Sequence, residues 1–258
     1  MMAVAGLSLE QAPPLSAPLR LFLTAPLFAL LAALLLLLAG PAALASRWSP
    51  ALLAITHLLT LGFITMSMMG ALLQMLPVLA GTPVKQPRLV AWLVHVPLSA
   101  GTLLLASGLA MGWKIALLAS LPLLAWAVLT FILVAANSLA RTAARNATIN
   151  AMWLALGALA VTALLGIMLL VMLTGHAVLP ALKLTDLHAA WGLLGWVGLL
   201  IIGVAYQVVP MFQMTPAYTT HITAWLTPWL FIMLLIWSLT VWWAEDYATW
   251  VALAGLAP

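Results

Sequence analysis

Between Leu21 and Trp243 the chain passes through seven apolar stretches, at about 21–39, 51–79, 89–111, 114–138, 148–173, 187–211 and 222–243. A helix needs about 20 apolar residues to cross the hydrocarbon core of a bilayer. No water is present there to satisfy backbone N–H and C=O groups, so only helices and closed barrels can span it. The stretches are continuously apolar rather than alternating, which excludes barrel strands. With 67% apolar and only 5% charged residues, the chain cannot assemble a water-soluble surface. The sequence therefore predicts an all-α integral membrane protein of about seven transmembrane helices, with the lipid bilayer as its first partner.

The chain also repeats itself. Adding 133 to the residue number carries Gly62, Gly70, Gln74, Pro77, Thr82 and Pro83 onto Gly195, Gly203, Gln207, Pro210, Thr215 and Pro216. The same shift carries Ala91-Trp92-Leu93 onto Ala224-Trp225-Leu226 without a gap. Leu and Ala matches carry little weight in so apolar a chain, but there are only five Gln, and two of them fall in register. Four crossings separate the matched helices, so both run the same way. The expected architecture is a single membrane domain, residues 1–258, built as two parallel repeats of a four-helix unit. The first covers about 20–138 and the second about 148–258, with the second unit truncated. Residues 247–258 then form a stub helix or an interfacial segment. Residues 1–19 read as a Pro-rich tail. Ala43-Leu44-Ala45-Ser46 mimics a signal-peptidase site, but the apolar stretch before it is too long for a typical signal peptide.

Lys and Arg set the orientation. Arg20, Lys85, Arg88, Arg141 and Arg145 gather on the N-terminal side, against Arg47, Lys114 and Lys183 on the other. The expected N-terminus is cytoplasmic, in a multi-pass protein of the cell inner (cytoplasmic) membrane. The basic balance thus reports topology, and no nucleic-acid partner is expected. Absence of Cys removes disulfides and Cys-ligated clusters.

Ionisable groups inside spans are costly to bury and mark candidate sites. His57 in the second span and His188 in the sixth lie at similar depth toward the outer side. On a uniform helix Met68 shares the His57 face, and Gly192 and Gly195 share the His188 face. The glycines read as a slot for a flat macrocycle, with two imidazoles as axial ligands of one haem b iron. Arg47 and Lys183, just outside, are candidates for the haem propionates or simply for topology. The bland alternative is that each His bonds a backbone carbonyl or a lipid headgroup. In the repeat register His57 matches Ala190 and His188 matches Ile55, an offset of two residues that turns the side chains onto different faces. His176, in the loop before span six, is a possible third ligand. His95 and His221 belong to the inner side. Gln74 and Gln207 are expected to tie helices by hydrogen bonds. Most of the 13 Met are core filler, and copper is not supported.

His57, followed by Pro77 and then LAGTPVKQPR, resembles the second helix of haem–copper oxidase subunit I proteins. Span six, HAAWGLLGWVGLLIIGVAYQVVPM, is similar to a later His-bearing helix of that superfamily, especially its cbb3-type and nitric-oxide-reductase-like branches. The resemblance covers about residues 50–98 and 184–231. It implies a low-spin haem ligand role for His57 and a ligand role for His188. The chain departs from that family where copper would bind: it has no adjacent His pair, no His and Tyr four apart, and no acidic residue inside a span. It is not expected to be an oxygen reductase on its own.

The function expected is that of a haem b-binding membrane protein, in electron transfer or in handling nitric oxide or another small gas, as an oxidoreductase component. A redox partner protein or quinol, and a homo-oligomer, are the partners such a role implies. The alternative is a membrane transporter or chaperone for haem or copper, using the same His and Met residues transiently.

Overall fold

The computed structural model of the protein describes residues 13–243 and 245–255. Among these, no strand occurs, and seven helices are long and apolar enough to cross a membrane. The chain is a multi-pass membrane protein. In order, it forms α1 (Ser16–Ala39), α2 (Pro50–His57), a first π-helical segment (Leu58–Thr65), α3 (Met66–Ala80), α4 (Pro87–Met111) and α5 (Lys114–Ala140). There follow α6 (Ala147–Leu173), α7 (Ala181–Ala190), a second π segment (Trp191–Gly198), α8 (Leu199–Gln213), α9 (Thr220–Trp243) and α10 (Glu245–Gly255). Contacts divide the chain into two compact units, Met1–Ala143 and Ala144–Pro258.

Local sequence explains most helix ends. Pro50 and Pro87 open α2 and α4 at positions where a missing N–H costs nothing. Asn146 caps α6, its side chain accepting from the Ile149 N–H at 2.9 Å. Gly112, at φ 67°, closes α4 in the left-handed conformation that a Cβ disfavours. Interior prolines at 26, 77, 97, 122, 210 and 228 are tolerated within these spans. Residues 1–12 of the expected tail lie outside the described residues. The rest differs from expectation, since α1 already starts at Ser16 and buries Ala17 and Leu21.

In the first unit, α1 lies against the second span through two glycines. A Cβ on Gly62 would come within 2.3 Å of the Phe28 ring, and one on Gly70 within 3.2 Å of Leu21 Cβ. Small residues allow such approach where lipid supplies no hydrophobic drive between helices. The α4–α5 hairpin closes in the same way, Gly101 on Leu124 and Gly108 on Leu117. The Gly81-Thr82-Pro83 turn is tied to the end of α5. Thr82 Oγ1 donates to the Ser138 carbonyl at 3.0 Å, Ser138 Oγ donates to the Thr82 carbonyl at 3.1 Å, and Arg141 Nη2 donates to the Pro83 carbonyl at 3.1 Å.

In the second unit, α6 meets the sixth span at Gly195, whose Cβ would lie 2.7 Å from Ala158 Cβ, and at Gly203, 2.2 Å from Ala151 Cβ. Trp191 is 2% exposed and stands edge-on to Phe231 at 5.3 Å. Its Nε1 donates to Ser238 Oγ at 2.9 Å. The segment after α9 is a stub helix, α10, folded back on α9 so that Gly255 meets Met233.

The two π segments obey the numerical shift found in the sequence. Adding 133 to 58–65 gives 191–198, and adding it to 66–80 gives 199–213, the bounds of α8. The left-handed residues that end α3 and α8, Gly81 (φ 64°) and Met214 (φ 51°), are likewise 133 apart.

Candidate functional site

His57 is the last residue of α2, directly before the first π segment, and His188 lies on α7, three residues before the second. π turns are rare and concentrate at functional positions. In each, the closing N–H reaches back five residues, Met66 to Leu61 and Leu199 to Leu194. Such a turn takes up an extra residue, and an extra residue rotates everything beyond it by about 100°. Met68 on α3, half-buried, therefore does not share the His57 face that a uniform helix would give it. This corrects the sequence expectation.

Both imidazoles are half-buried and use the same nitrogen in the same way. His57 Nδ1 donates to the carbonyl of Leu53 at 2.7 Å, one turn back on its own helix. His188 Nδ1 donates to the carbonyl of Thr162 on α6 at 3.0 Å. A backbone carbonyl only accepts, so Nδ1 carries the proton in each neutral ring and the lone pair is on Nε2. A carbonyl bond is also what a packing histidine makes. What it adds for ligation is the tautomer, since metal-binding histidines characteristically anchor the other ring N–H in this manner. The two-residue offset in the repeat register has a structural counterpart: His57 folds onto its own helix, whereas His188 leans across to its neighbour.

Gly166 explains how His188 reaches α6. A Cβ on Gly166 would sit 3.0 Å from His188 Cε1, so the ring lies against bare backbone. Thr162 and Gly166, four apart and hence on one face of α6, were not recognised from the sequence. A Thr and a Gly at this spacing inside an apolar helix were the available signal. Gly192 and Gly195 share the His188 face as expected, but that face is packed on α6. The Gly192 Cβ position meets Thr162 Cγ2 at 3.3 Å and that of Gly195 meets Ala158. The pair forms a helix contact and not a slot for a macrocycle.

Arg47 is exposed, its guanidinium 4.9 Å from the Trp48 ring, and Lys183 is half-buried on α7. His176 is exposed in a loop, where its Nδ1 and Thr174 Oγ1 are 3.0 Å apart. Among the described residues no three His, Cys, Asp or Glu side chains come together to hold a metal ion. His221 is exposed at the start of α9. His95 is half-buried on α4 and bonds Thr24 of α1 through Nε2 at 2.8 Å. Gln74 Oε1 is buried without a hydrogen bond, so the expected tie is not made through that atom.

Haem b asks for one or two neutral imidazoles presenting Nε2, not for a cluster of ligands. The tautomer and anchoring of His57 and His188 fit that requirement. Comparison with protein-family models, with curated proteins and with solved structures finds no match for the chain.

Proposed function

We propose that the chain is a haem b protein of a cell's inner membrane, in which Nε2 of His57 in the first unit and Nε2 of His188 in the second would serve as donors to haem iron. The observation that carries this reading is the shared anchoring of the two rings, each Nδ1–H on a backbone carbonyl beside a π segment. The haem would supply a reversible one-electron couple. The protein's part is to hold the two tautomers: Leu53 orients the His57 ring, while Thr162 and Gly166 orient His188. Arg47 and Lys183 provide positive charge for the propionates. The reading includes a parallel duplication of a four-helix unit, supported by the common 133-residue shift of sequence matches, π segments and left-handed caps. It also includes a cytoplasmic N-terminus, supported by the distribution of Lys and Arg, and a role in electron transfer or small-gas handling, supported by the oxidase-like second helix.

Purification in mild detergent followed by pyridine haemochrome analysis tests this. The expected result is one haem b per chain, retained through size-exclusion chromatography. Haem that washes off during purification points to the transporter or chaperone alternative, and a chain that never acquires haem in haem-replete cells overturns both.

A further inference from the structure

Hydroxyls inside these helices normally satisfy themselves. Thr24, Thr60, Ser107, Ser120, Thr162, Ser238 and Thr240 each donate to a carbonyl three or four residues back. Ser99 and Thr102 of α4 do not. Ser99 Oγ and Thr102 Oγ1 are buried without a protein partner, although Thr102 is 0% exposed. On the same helix, His95 Nδ1 is also buried and unpartnered, and so is Arg20 Nη1 on α1.

These four atoms belong together. At about 100° per residue, His95, Ser99 and Thr102 fall within about 60° of one another around α4, and they span about 10 Å along it. The bond from His95 to Thr24 turns that stripe toward α1. Thr24 Oγ1 already gives its hydrogen to the Arg20 carbonyl at 3.0 Å, so it must accept from His95 Nε2–H. That fixes the tautomer: Nδ1 of His95 is a bare acceptor. The Arg20 guanidinium lies 3.4 Å over the Trp92 ring, and Trp92 is the i−3 neighbour of His95 on α4. An orphaned donor and an orphaned acceptor thus flank the lower end of a stripe whose remaining members are hydroxyls, able to do both.

We propose that this stripe is a binding site for a file of internal water, running along the α1-facing side of α4 from Arg20 and His95 past Ser99 to Thr102. The first water accepts from Arg20 Nη1 and donates to His95 Nδ1. Those following bridge the Ser99 and Thr102 hydroxyls. Buried polar groups left without partners are costly, and a small molecule with two to four hydrogen bonds of either polarity is the ligand that relieves all four. The site lies wholly within the first unit and is independent of the haem reading.

X-ray hydroxyl-radical footprinting of the full chain tests the proposal, because radicals born at a bound water oxidise the side chains beside it even when these are buried. His95 and Leu98, the latter 0% exposed, are expected to take up label. Met152, 1% exposed in an apolar part of α6, is intrinsically more reactive and should not. If His95 and Leu98 stay at the Met152 level, the stripe is dry and the proposal fails; this result needs only the wild-type protein. In the Ser99→Ala/Thr102→Val double variant, labelling at Leu98 should fall to that background and the thermal midpoint should drop. Unchanged labelling, or a variant more stable than wild type, would overturn the proposal, since apolar replacement of dry, unpaired hydroxyls is stabilising.

Discussion

Replacing Gly203 by Ala adds one methyl group where α8 meets α6. The added Cβ would stand 2.2 Å from Ala151 Cβ, an atom fixed to its own backbone and unable to swing away. Carbon atoms rest at about 3.7 Å, so the helices must part by about 1.5 Å along most of their contact. Overpacking of this kind costs about 1–3 kcal/mol. Relief of the glycine's unfolded-state entropy returns about 0.5–1 kcal/mol. The net loss is then about 0–2.5 kcal/mol, or up to about 10 °C in midpoint for a chain of this size. Thermal unfolding in detergent or bicelles, followed by helical circular dichroism, would read it. Gly157→Ala is the control, since its Cβ would find only Phe231 Cε2 at 4.0 Å; its midpoint should hold or rise. Adding Ala151→Gly to Gly203→Ala should restore most of the loss. If Gly203→Ala is as stable as Gly157→Ala, the close approach of α6 and α8 is not as described.

Ser238→Ala removes the acceptor of the buried Trp191 N–H, and denaturant unfolding should register a loss of about 1–3 kcal/mol. Gly166→Val puts side-chain atoms where His188 Cε1 now lies, so bound haem per chain should fall while secondary structure is retained. His221→Ala, at an exposed position, should leave the haem spectrum unchanged. Oxygen-electrode measurements on the purified chain should show no reduction of oxygen at oxidase rates; rapid uptake with stoichiometric copper would contradict that.

The spans were legible because unbroken apolarity is a one-dimensional signal, and α5, α6 and α9 begin and end within two residues of the apolar stretches. Ends defined by something other than apolarity were missed. The sixth span starts at Ala181 rather than 187, because Lys183, Thr185 and Asp186 break the hydropathy without breaking the helix. The π segments were invisible, since an i+5 turn leaves no periodic trace in a stretch of eight residues, and the placement of Met68 failed with them. Gly192 and Gly195 were read as a slot for a macrocycle. Sequence alone did not say what approaches, and it is α6. The bond between His95 and Thr24, 71 residues apart, is tertiary information of the same kind.

The proposal that His57 and His188 would both serve as donors to haem iron is tested most directly by carbon monoxide binding to the reduced protein. If both imidazoles serve as donors, the wild-type spectrum should be low-spin and insensitive to carbon monoxide. His57→Ala and His188→Ala, each one ligand short, should turn high-spin and shift on adding the gas, or lose haem. A His57→Ala protein that keeps the wild-type low-spin spectrum and ignores carbon monoxide would contradict the account.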